Sequence, residues 1–225
     1  MTPIKGFSKN PQEFDKSIPR ILLALGGMET CFDPGARFDF IIAADSGANF
    51  LYERNIPANL VVGDFDSVSL EAQAFHEDKG ARFEKFPIDK NETDFELALY
   101  HLPRNPCQEI TLTGIWGGRI DHSIMNLLVL SRFSDRGKFF FTLETGKAGV
   151  LFSGELEIPV KVGAKCALIS LAQASKGIFS SGVQWPLKNE TLILGESRGI
   201  SNIITASVWK LSLEKGALLW LVLTD

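Results

Sequence analysis

The sequence predicts an α/β fold: an N-terminal, mostly parallel, Rossmann-like α/β domain over residues 1–145, followed by a C-terminal antiparallel β-sandwich over residues 146–225. Three observations carry this expectation. Before Lys138, short apolar runs alternate with helix-length stretches, as in a parallel sheet covered on both faces. From Lys138 on, β-type runs recur every eight to twelve residues between Gly or Asn-Glu turns, with no helical period, as in sandwiches and small barrels. The acids divide in the same way. Residues 1–145 hold 21 acidic and 15 basic side chains, residues 146–225 hold 6 and 8, and eleven of the twelve Asp lie in the first part.

In chain order, residues 20–25 read as a buried strand that ends at Gly26-Gly27. Residues 38–44 are a second strand, ending at Asp45-Ser46-Gly47, and the helix over 46–54 has Pro57 beyond it as a stop. A short strand at 60–62 runs into Gly63-Asp64-Phe65-Asp66-Ser67, and a helix at 69–79 closes on Gly80. A strand at 82–86, a helix at 93–101, a strand at 109–113 and a helix at 121–132 complete the first part. The second part has β-type runs at 138–144, 149–154, 156–160, 166–172, 177–185, 190–195, 200–213 and 216–223. The change falls around residues 142–150 without a Pro- or Ser-rich linker, so close packing of the two domains is expected.

The chain of 225 residues is 45% apolar and 22% charged, which excludes a disordered protein. A net charge of −4 argues against a protein that coats nucleic acid. The longest apolar runs, such as 217–223, fall far short of the ~20 residues of a membrane-spanning helix, and no membrane association is expected. The N-terminal residues lack the apolar stretch of a secretory signal. Cys31, Cys107 and Cys166 are widely spaced with no Cys-x-x-Cys pair, which fits buried thiols in a reducing, cytoplasmic setting. His76 and His101 read as surface helix residues and His122 as a packed or capping residue. None has metal-ligand spacing, so a zinc enzyme is not expected.

The first part's aspartates follow a pattern. Asp45 follows one strand, Asp64 and Asp66 follow the next, Asp94 opens a helix, and Asp121 follows Gly117-Gly118-Arg119-Ile120 after another strand. A parallel sheet brings such positions to one edge. Clustered carboxylates repel, and a hard divalent ion with oxygen ligands, most often Mg²⁺, compensates them and leaves positions for substrate phosphate. Each residue also has a local use: Asp45 as a helix cap, Asp64 and Asp66 as turn residues, Thr93 with Asp94 and Glu96 as a capped helix start. Gly117-Gly118-Arg119 is either a surface turn or a phosphate clamp combining close backbone approach with a forked donor. Lys85 and Lys90 are solvated charges by default, with Lys90 the better phosphate donor because it lies three residues before Thr93. From the residues alone the reading reaches Mg²⁺-dependent transfer or cleavage of a nucleotide phosphate and does not name the acceptor.

Taken together, residues 44–49 (Ala-Asp-Ser-Gly-Ala-Asn), 63–67 (Gly-Asp-Phe-Asp-Ser), 93–98 (Thr-Asp-Phe-Glu-Leu-Ala) and 117–122 (Gly-Gly-Arg-Ile-Asp-His) resemble, in order and spacing, the thiamine pyrophosphokinase (thiamine diphosphokinase) family. The resemblance continues at residues 181–187 (Ser-Gly-Val-Gln-Trp-Pro-Leu) and at Ser201-Asn202, and so covers nearly the whole chain from Arg20. It implies pyrophosphoryl transfer from ATP to thiamine, giving thiamine diphosphate and AMP. It also implies a Mg²⁺ requirement and a homodimer whose active site lies between the α/β domain of one subunit and the β domain of the other.

By the same resemblance, Asp64, Asp66 and Asp94 hold Mg²⁺ and orient the phosphates, and one of them accepts the hydroxyl proton. Asp121 completes the polar site or contacts thiamine. Arg119 and Lys90 stabilise the transferring group, Thr93 offers its hydroxyl to a phosphate, and Asp45 with Ser46 and Gly47 lies near the nucleotide or metal. Trp185 stacks on the cationic thiazolium or the pyrimidine, and Ser201 and Asn202 hydrogen-bond the pyrimidine edge or serve as turn residues. Trp116, Trp209 and Trp220 read as packing residues. The first motif has Ser46 where the family often has Gly. The rival readings are another Mg²⁺-dependent phosphotransferase or phosphatase built on Asp64 and Asp66, and an ATP-sensing module without turnover.

Overall fold

The computed structural model describes residues 20–27, 36–104, 108–143 and 145–223. Its central strand, β1 (Ile21–Ala24), has all four side chains inaccessible to solvent, as an apolar run between two helix layers requires. Side chains alternate in direction along a strand. Ile21 and Leu23 enter one core with Phe95, Leu99 and Val129, while Leu22 and Ala24 enter another with Ala48, Phe50 and Leu51.

The α/β part runs β1, β2 (Phe40–Ala44), α1 (Gly47–Glu53), β3 (Leu60–Gly63), α2 (Leu70–Asp78), β4 (Arg82–Lys85), α3 (Asp94–Tyr100), β5 (Glu109–Thr113), α4 (Ile120–Leu130) and β6 (Lys138–Leu143). Its strands are ordered β6-β5-β1-β2-β3-β4, and every neighbouring pair is parallel. The remaining strands are β7 (Gly146–Leu151), β8 (Gly154–Pro159), β9 (Lys165–Ser170), β10 (Ala174–Ser181), β11 (Lys188–Ile193), β12 (Asn202–Ile203), β13 (Val208–Leu213) and β14 (Leu218–Leu223). β6 also pairs antiparallel with β7, and the sheet continues through β14 and β9 to β12, ten strands in all. The two halves therefore share one sheet, and β6, the first run of β-type sequence grammar, is its last parallel strand. A separate antiparallel sheet, β11-β10-β13-β8, covers the second half. Between the sheets lie Leu151, Leu168, Ile178, Leu211, Trp209 and Trp220, all buried. Trp209 and Trp220 are thus packing residues, and partly buried Trp116 lies 6.3 Å from the Phe141 ring.

The structure corrects the histidines. His76 is fully buried. Its Nδ1 accepts a hydrogen bond from the Ala58 amide at 3.1 Å, and its Nε2 lies 2.9 Å from the Ala48 carbonyl. Few apolar residues of α2 are buried, and the ring fills a slot between α1 and the turn before β3 with both nitrogens satisfied. His101 is also no surface residue: it caps the end of α3, with Nε2 3.0 Å from Glu84. His122 is exposed. Among the described residues no helix is long and apolar enough to cross a membrane. Cys166 is a buried free thiol, while Cys31 and Cys107 lie outside the described residues.

Candidate active site

Parallel strands place the carboxyl ends of β1 to β5 at one sheet edge. From β1 the chain moves outward through β2, β3 and β4, then returns to the other side of β1 as β5. The connections from β1 and β5 lead to opposite halves of the sheet, the kind of switch point at which such sheets bind ligands, and their first residues are joined where the Gly27 amide donates to the Gly114 carbonyl at 3.0 Å. Two glycines let the loops close on each other there. A Cβ at Gly27 would lie 2.2 Å from the Gly114 carbonyl oxygen, and one at Gly47 would lie 2.1 Å from that of Ala24.

The carboxylates assemble at this edge. Asp45 leaves β2 at φ 45°, a left-handed conformation that few residues other than Gly, Asn and Asp tolerate. One carboxylate oxygen from each of Asp45, Asp64 and Asp66 lies within 4.8 Å of the others. The Lys90 ammonium sits 3.1 Å from Asp64 Oδ2 and 3.1 Å from Asp94 Oδ1, which ties α3 to this group. The side chains of Lys90 and Asp64 are each only 11% exposed, so the default of Lys90 as a solvated charge does not hold. Asp45 Oδ1 is buried with no hydrogen-bond partner among the described residues. Ser46, not Asp45, stands at the N-cap of α1, and no side chain caps that helix. The capping use of Asp45 is therefore excluded and its carboxylate faces the cluster.

The electrostatics follow from burial and charge balance. Burial raises the Asp45 carboxyl, and the charges of Asp94 and Asp66 push it the same way against hydrogen bonds from Ser46 and Ser67. Burial also raises Asp94, and Lys90 offsets this only in part. For Asp64, burial pushes upward but is outweighed by the Asp66 amide and Lys90, which hold it below the ordinary carboxylate value. Burial pushes Lys90 downward, but its bonds to Asp94 and Asp64 prevail and raise it. Four carboxylates around one ammonium leave the site short of positive charge. Hard oxygen donors in excess, one of them buried and unpartnered, fit a divalent cation such as Mg²⁺.

Local structure fixes these side chains. Asp64 Oδ1 accepts the Asp66 amide at 3.1 Å, and Ser67 donates to Asp66 Oδ1 at 2.8 Å. Thr93 Oγ1 accepts the Glu96 amide at 3.2 Å and caps α3, which directs Asp94. Asn49 is a supporting residue that sequence reasoning missed. Its Nδ2 donates to the Ser67 carbonyl at 2.8 Å and its Oδ1 accepts the Ser69 amide at 2.9 Å, stapling the aspartate loop to α1. Its only sequence signal is its place at the end of the Asp-Ser-Gly-Ala-Asn run, since a polar helix residue otherwise reads as solvated.

Arg119 and Asp121 stand apart, at the start of α4. They form an exposed forked ion pair, Nη2 to Oδ2 at 2.6 Å and Nε to Oδ1 at 3.2 Å. Arg119 holds the Asp121 carboxyl at about 2. Trp185, Ser201 and Asn202 form a third group. Trp185 is 56% exposed and does not belong to the core between the two sheets. Asn202 Oδ1 accepts the Trp185 amide at 3.1 Å and its Nδ2 donates to the Trp185 carbonyl at 2.8 Å. Its amide group is therefore engaged in positioning the loop that carries the indole. Ser201 is exposed and left-handed at φ 59°. Seven strand spacings separate β12 from β2, about 34 Å measured along the sheet. The structure thus gathers Asp45, Asp64, Asp66, Asp94, Lys90 and Thr93 at one end of the sheet, and Trp185, Ser201 and Asn202 at the other.

Comparison with known proteins gives a consistent picture. Residues 36–141 match the family described as thiamin pyrophosphokinase, catalytic domain, and residues 155–218 match thiamin pyrophosphokinase, vitamin B1 binding domain. The chain is 26% identical over 230 residues to thiamine pyrophosphokinase 2 of Oryza sativa subsp. japonica, covering 94% of this chain and 83% of the relative. It is 27% identical to thiamine pyrophosphokinase of Bacillus subtilis, covering 82% and 87%. Among solved structures, a thiamin pyrophosphokinase family protein of Enterococcus faecalis superimposes with a TM-score of 0.74 at 26% identity, covering 92% of this chain and 99% of that one.

Proposed function

This chain belongs to the thiamin pyrophosphokinase family of enzymes, and we propose that it transfers a pyrophosphoryl group from ATP to thiamine, forming thiamine diphosphate and AMP. The observation that carries this reading is the group of Asp45, Asp64 and Asp66 backed by Lys90 and Asp94 at the crevice edge of the parallel sheet. The thiamine hydroxyl oxygen bonds to the β-phosphorus of ATP, the bond from that phosphorus to the oxygen bridging the α- and β-phosphates breaks, and AMP leaves with the electron pair. One of the clustered carboxylates takes the hydroxyl proton. Such transfer depends on alignment and charge stabilisation. Mg²⁺ held by Asp64, Asp66 and Asp94 would neutralise phosphate charge there.

The loop Asp45-Ser46-Gly47, with Lys90, Thr93 and Arg119, is assigned to the nucleotide. Residues 1–145 then form the nucleotide domain and residues 146–225 the thiamine and dimerisation domain. Trp185 offers an exposed aromatic face to a cationic ring, its backbone clamped by Asn202. Ser201 and Asp121 complete the polar surface toward thiamine.

We assign the working unit to a homodimer with the site shared between subunits. The separation of the carboxylate and indole groups along one sheet supports this, because a second chain can bring a Trp185 to the carboxylates. So does the outer face of α4, where Ile120, Ile124, Met125 and Leu128 are between 39% and 73% exposed in an apolar stripe. A cytoplasmic setting belongs to the same reading and rests on the wide spacing of the three cysteines.

The test is incubation with thiamine, ATP and Mg²⁺. The expected products are thiamine diphosphate and AMP in equal amounts. ADP, or inorganic phosphate alone, would refute the assignment.

A further inference from the structure

Lys90 has an unusual position for a residue of a phosphate-transfer site. Its ammonium is lodged between Asp64 and Asp94, 3.1 Å from each. The three side chains are 11%, 11% and 26% exposed, so water screens this contact far less than a surface pair. Among the described residues, no other Lys, Arg or His forms an ion pair with Asp45, Asp64, Asp66 or Asp94. The segment around Lys90 is anchored as well. The Phe86 amide donates to the Gly63 carbonyl at 2.8 Å, which ties its start to the end of β3, and Thr93 caps α3 at its far end. The ammonium is thus delivered to a point between a loop carboxylate and a helix carboxylate that would otherwise repel each other.

A divalent cation cannot occupy the space between the same two carboxylates while the ammonium is there. A lysine side chain, with four flexible carbons, can vacate that space if phosphate oxygens offer it another anion. Mg²⁺ sheds water reluctantly and is commonly held by one or two carboxylates together with substrate phosphates.

We propose that Lys90 is a built-in counter-ion that holds Asp64 and Asp94 together in the nucleotide-free enzyme, and that it yields its place to a divalent cation only when the nucleotide arrives. This rests on the assignment of these carboxylates as metal ligands in the proposed function. It adds an order of events: metal and nucleotide enter together, and the empty enzyme holds metal weakly.

The experiment measures Mn²⁺ binding to the full chain by the loss of the free-ion electron paramagnetic resonance signal, without thiamine and without turnover. Nucleotide-free wild type should bind Mn²⁺ weakly, and with a non-hydrolysable ATP analogue, whose own chelation of Mn²⁺ is subtracted by a protein-free titration, binding to the protein should be at least about tenfold tighter. Lys90→Met, which keeps most of the side chain's length but removes the charge, should bind Mn²⁺ without nucleotide at least about tenfold more tightly than wild type. Lys90→Arg, which keeps the charge, should stay within about threefold of wild type. Adding Asp64→Asn to Lys90→Met should abolish the gain, which places the ion at this site.

Equal or weaker Mn²⁺ binding by Lys90→Met overturns the proposal, as does nucleotide-free wild type that binds Mn²⁺ as tightly as the nucleotide complex. If Lys90→Met does not give a folded protein by circular dichroism, Lys90→Gln is read by the same criteria. Absence of thiamine diphosphate in the activity test would count against the reaction and leave these binding results standing.

Discussion

His76 provides a direct test of how this fold responds to acid. The ring is inaccessible to solvent, accepts the Ala58 amide at Nδ1 and faces the Ala48 carbonyl through Nε2. That pattern requires the neutral tautomer with its proton on Nε2. A second proton would set an N–H against the Ala58 N–H inside the protein. Burial lowers the ring's pKa from 6.5, opposed in part by the Ala48 hydrogen bond. With the folded value below the unfolded one, the unfolded chain binds more protons as pH falls. The contribution of His76 is therefore complete above about pH 6.5 and is lost as pH falls through the window below it. The slope is at most about 1.4 kcal/mol per pH unit, so pH 5.0 removes up to about 2 kcal/mol. For a chain of this size that corresponds to a fall in Tm of up to about 4–8 °C.

Other groups titrate in the same range, so the measurement is a difference. His76→Gln keeps one acceptor and one donor but cannot be protonated. It should be less stable than wild type at pH 7.5 by about 1–3 kcal/mol because its hydrogen bonds and packing fit less well. Its Tm should then fall less than that of wild type between pH 7.5 and pH 5.0, by up to about 4–8 °C. Equal losses in the two proteins, measured by calorimetry at matched ionic strength, would show that the buried imidazole is not the acid-sensitive group.

Four further outcomes are expected. Asp64→Asn and Asp66→Asn should each lower thiamine diphosphate formation at least about 100-fold, with melting curves close to wild type, because a neutral amide is a poor ligand for a hard divalent ion. Near-normal activity in both would remove these carboxylates from the mechanism. Asn202→Ala deletes the clamp on the Trp185 backbone and should raise KM for thiamine about three- to tenfold while changing KM for ATP little, as steady-state kinetics would show. An equal rise for both substrates would place Asn202 in general fold support. Ile124→Asp on the α4 stripe should shift the mass measured by light scattering from dimer to monomer. Mixing Trp185→Ala with Asp64→Asn chains should restore activity through hybrid sites, and no recovery after confirmed subunit exchange would mean that each site is built within one chain.

The carboxylate site was largely legible in the sequence. Asp45, Asp64, Asp66 and Asp94 each follow or open an element of a parallel sheet, and parallel strands leave their carboxyl ends on one edge. The lysine geometry was not legible, because nothing in the spacing shows that Lys90 turns inward to two carboxylates rather than outward to water. Asn202 was visible as a motif residue, but its hydrogen bonds run to Trp185, seventeen positions away, across a contact that local sequence does not encode. His76 was misplaced for the same reason. A polar residue on a helix reads as solvated, and only the approach of Ala48 and Ala58 supplies partners for both ring nitrogens.

By itself the sequence determined the order of the elements, apart from the run at 200–213 that the structure divides into β12 and β13 in different sheets, as well as the switch from α/β to all-β grammar and the stations of the acidic residues. These depend on short-range causes: side-chain periodicity, capping and turn preferences, and the need to bury apolar runs. Only the tertiary structure decided that β6 joins both halves into one sheet, that Asp45 retains a buried oxygen without a partner among the described residues, and that Lys90 lodges between Asp64 and Asp94. It also set the carboxylates and the indole at opposite ends of that sheet. Those features depend on which distant segments meet, and that is settled by how the sheets and the helices packed on them share their cores.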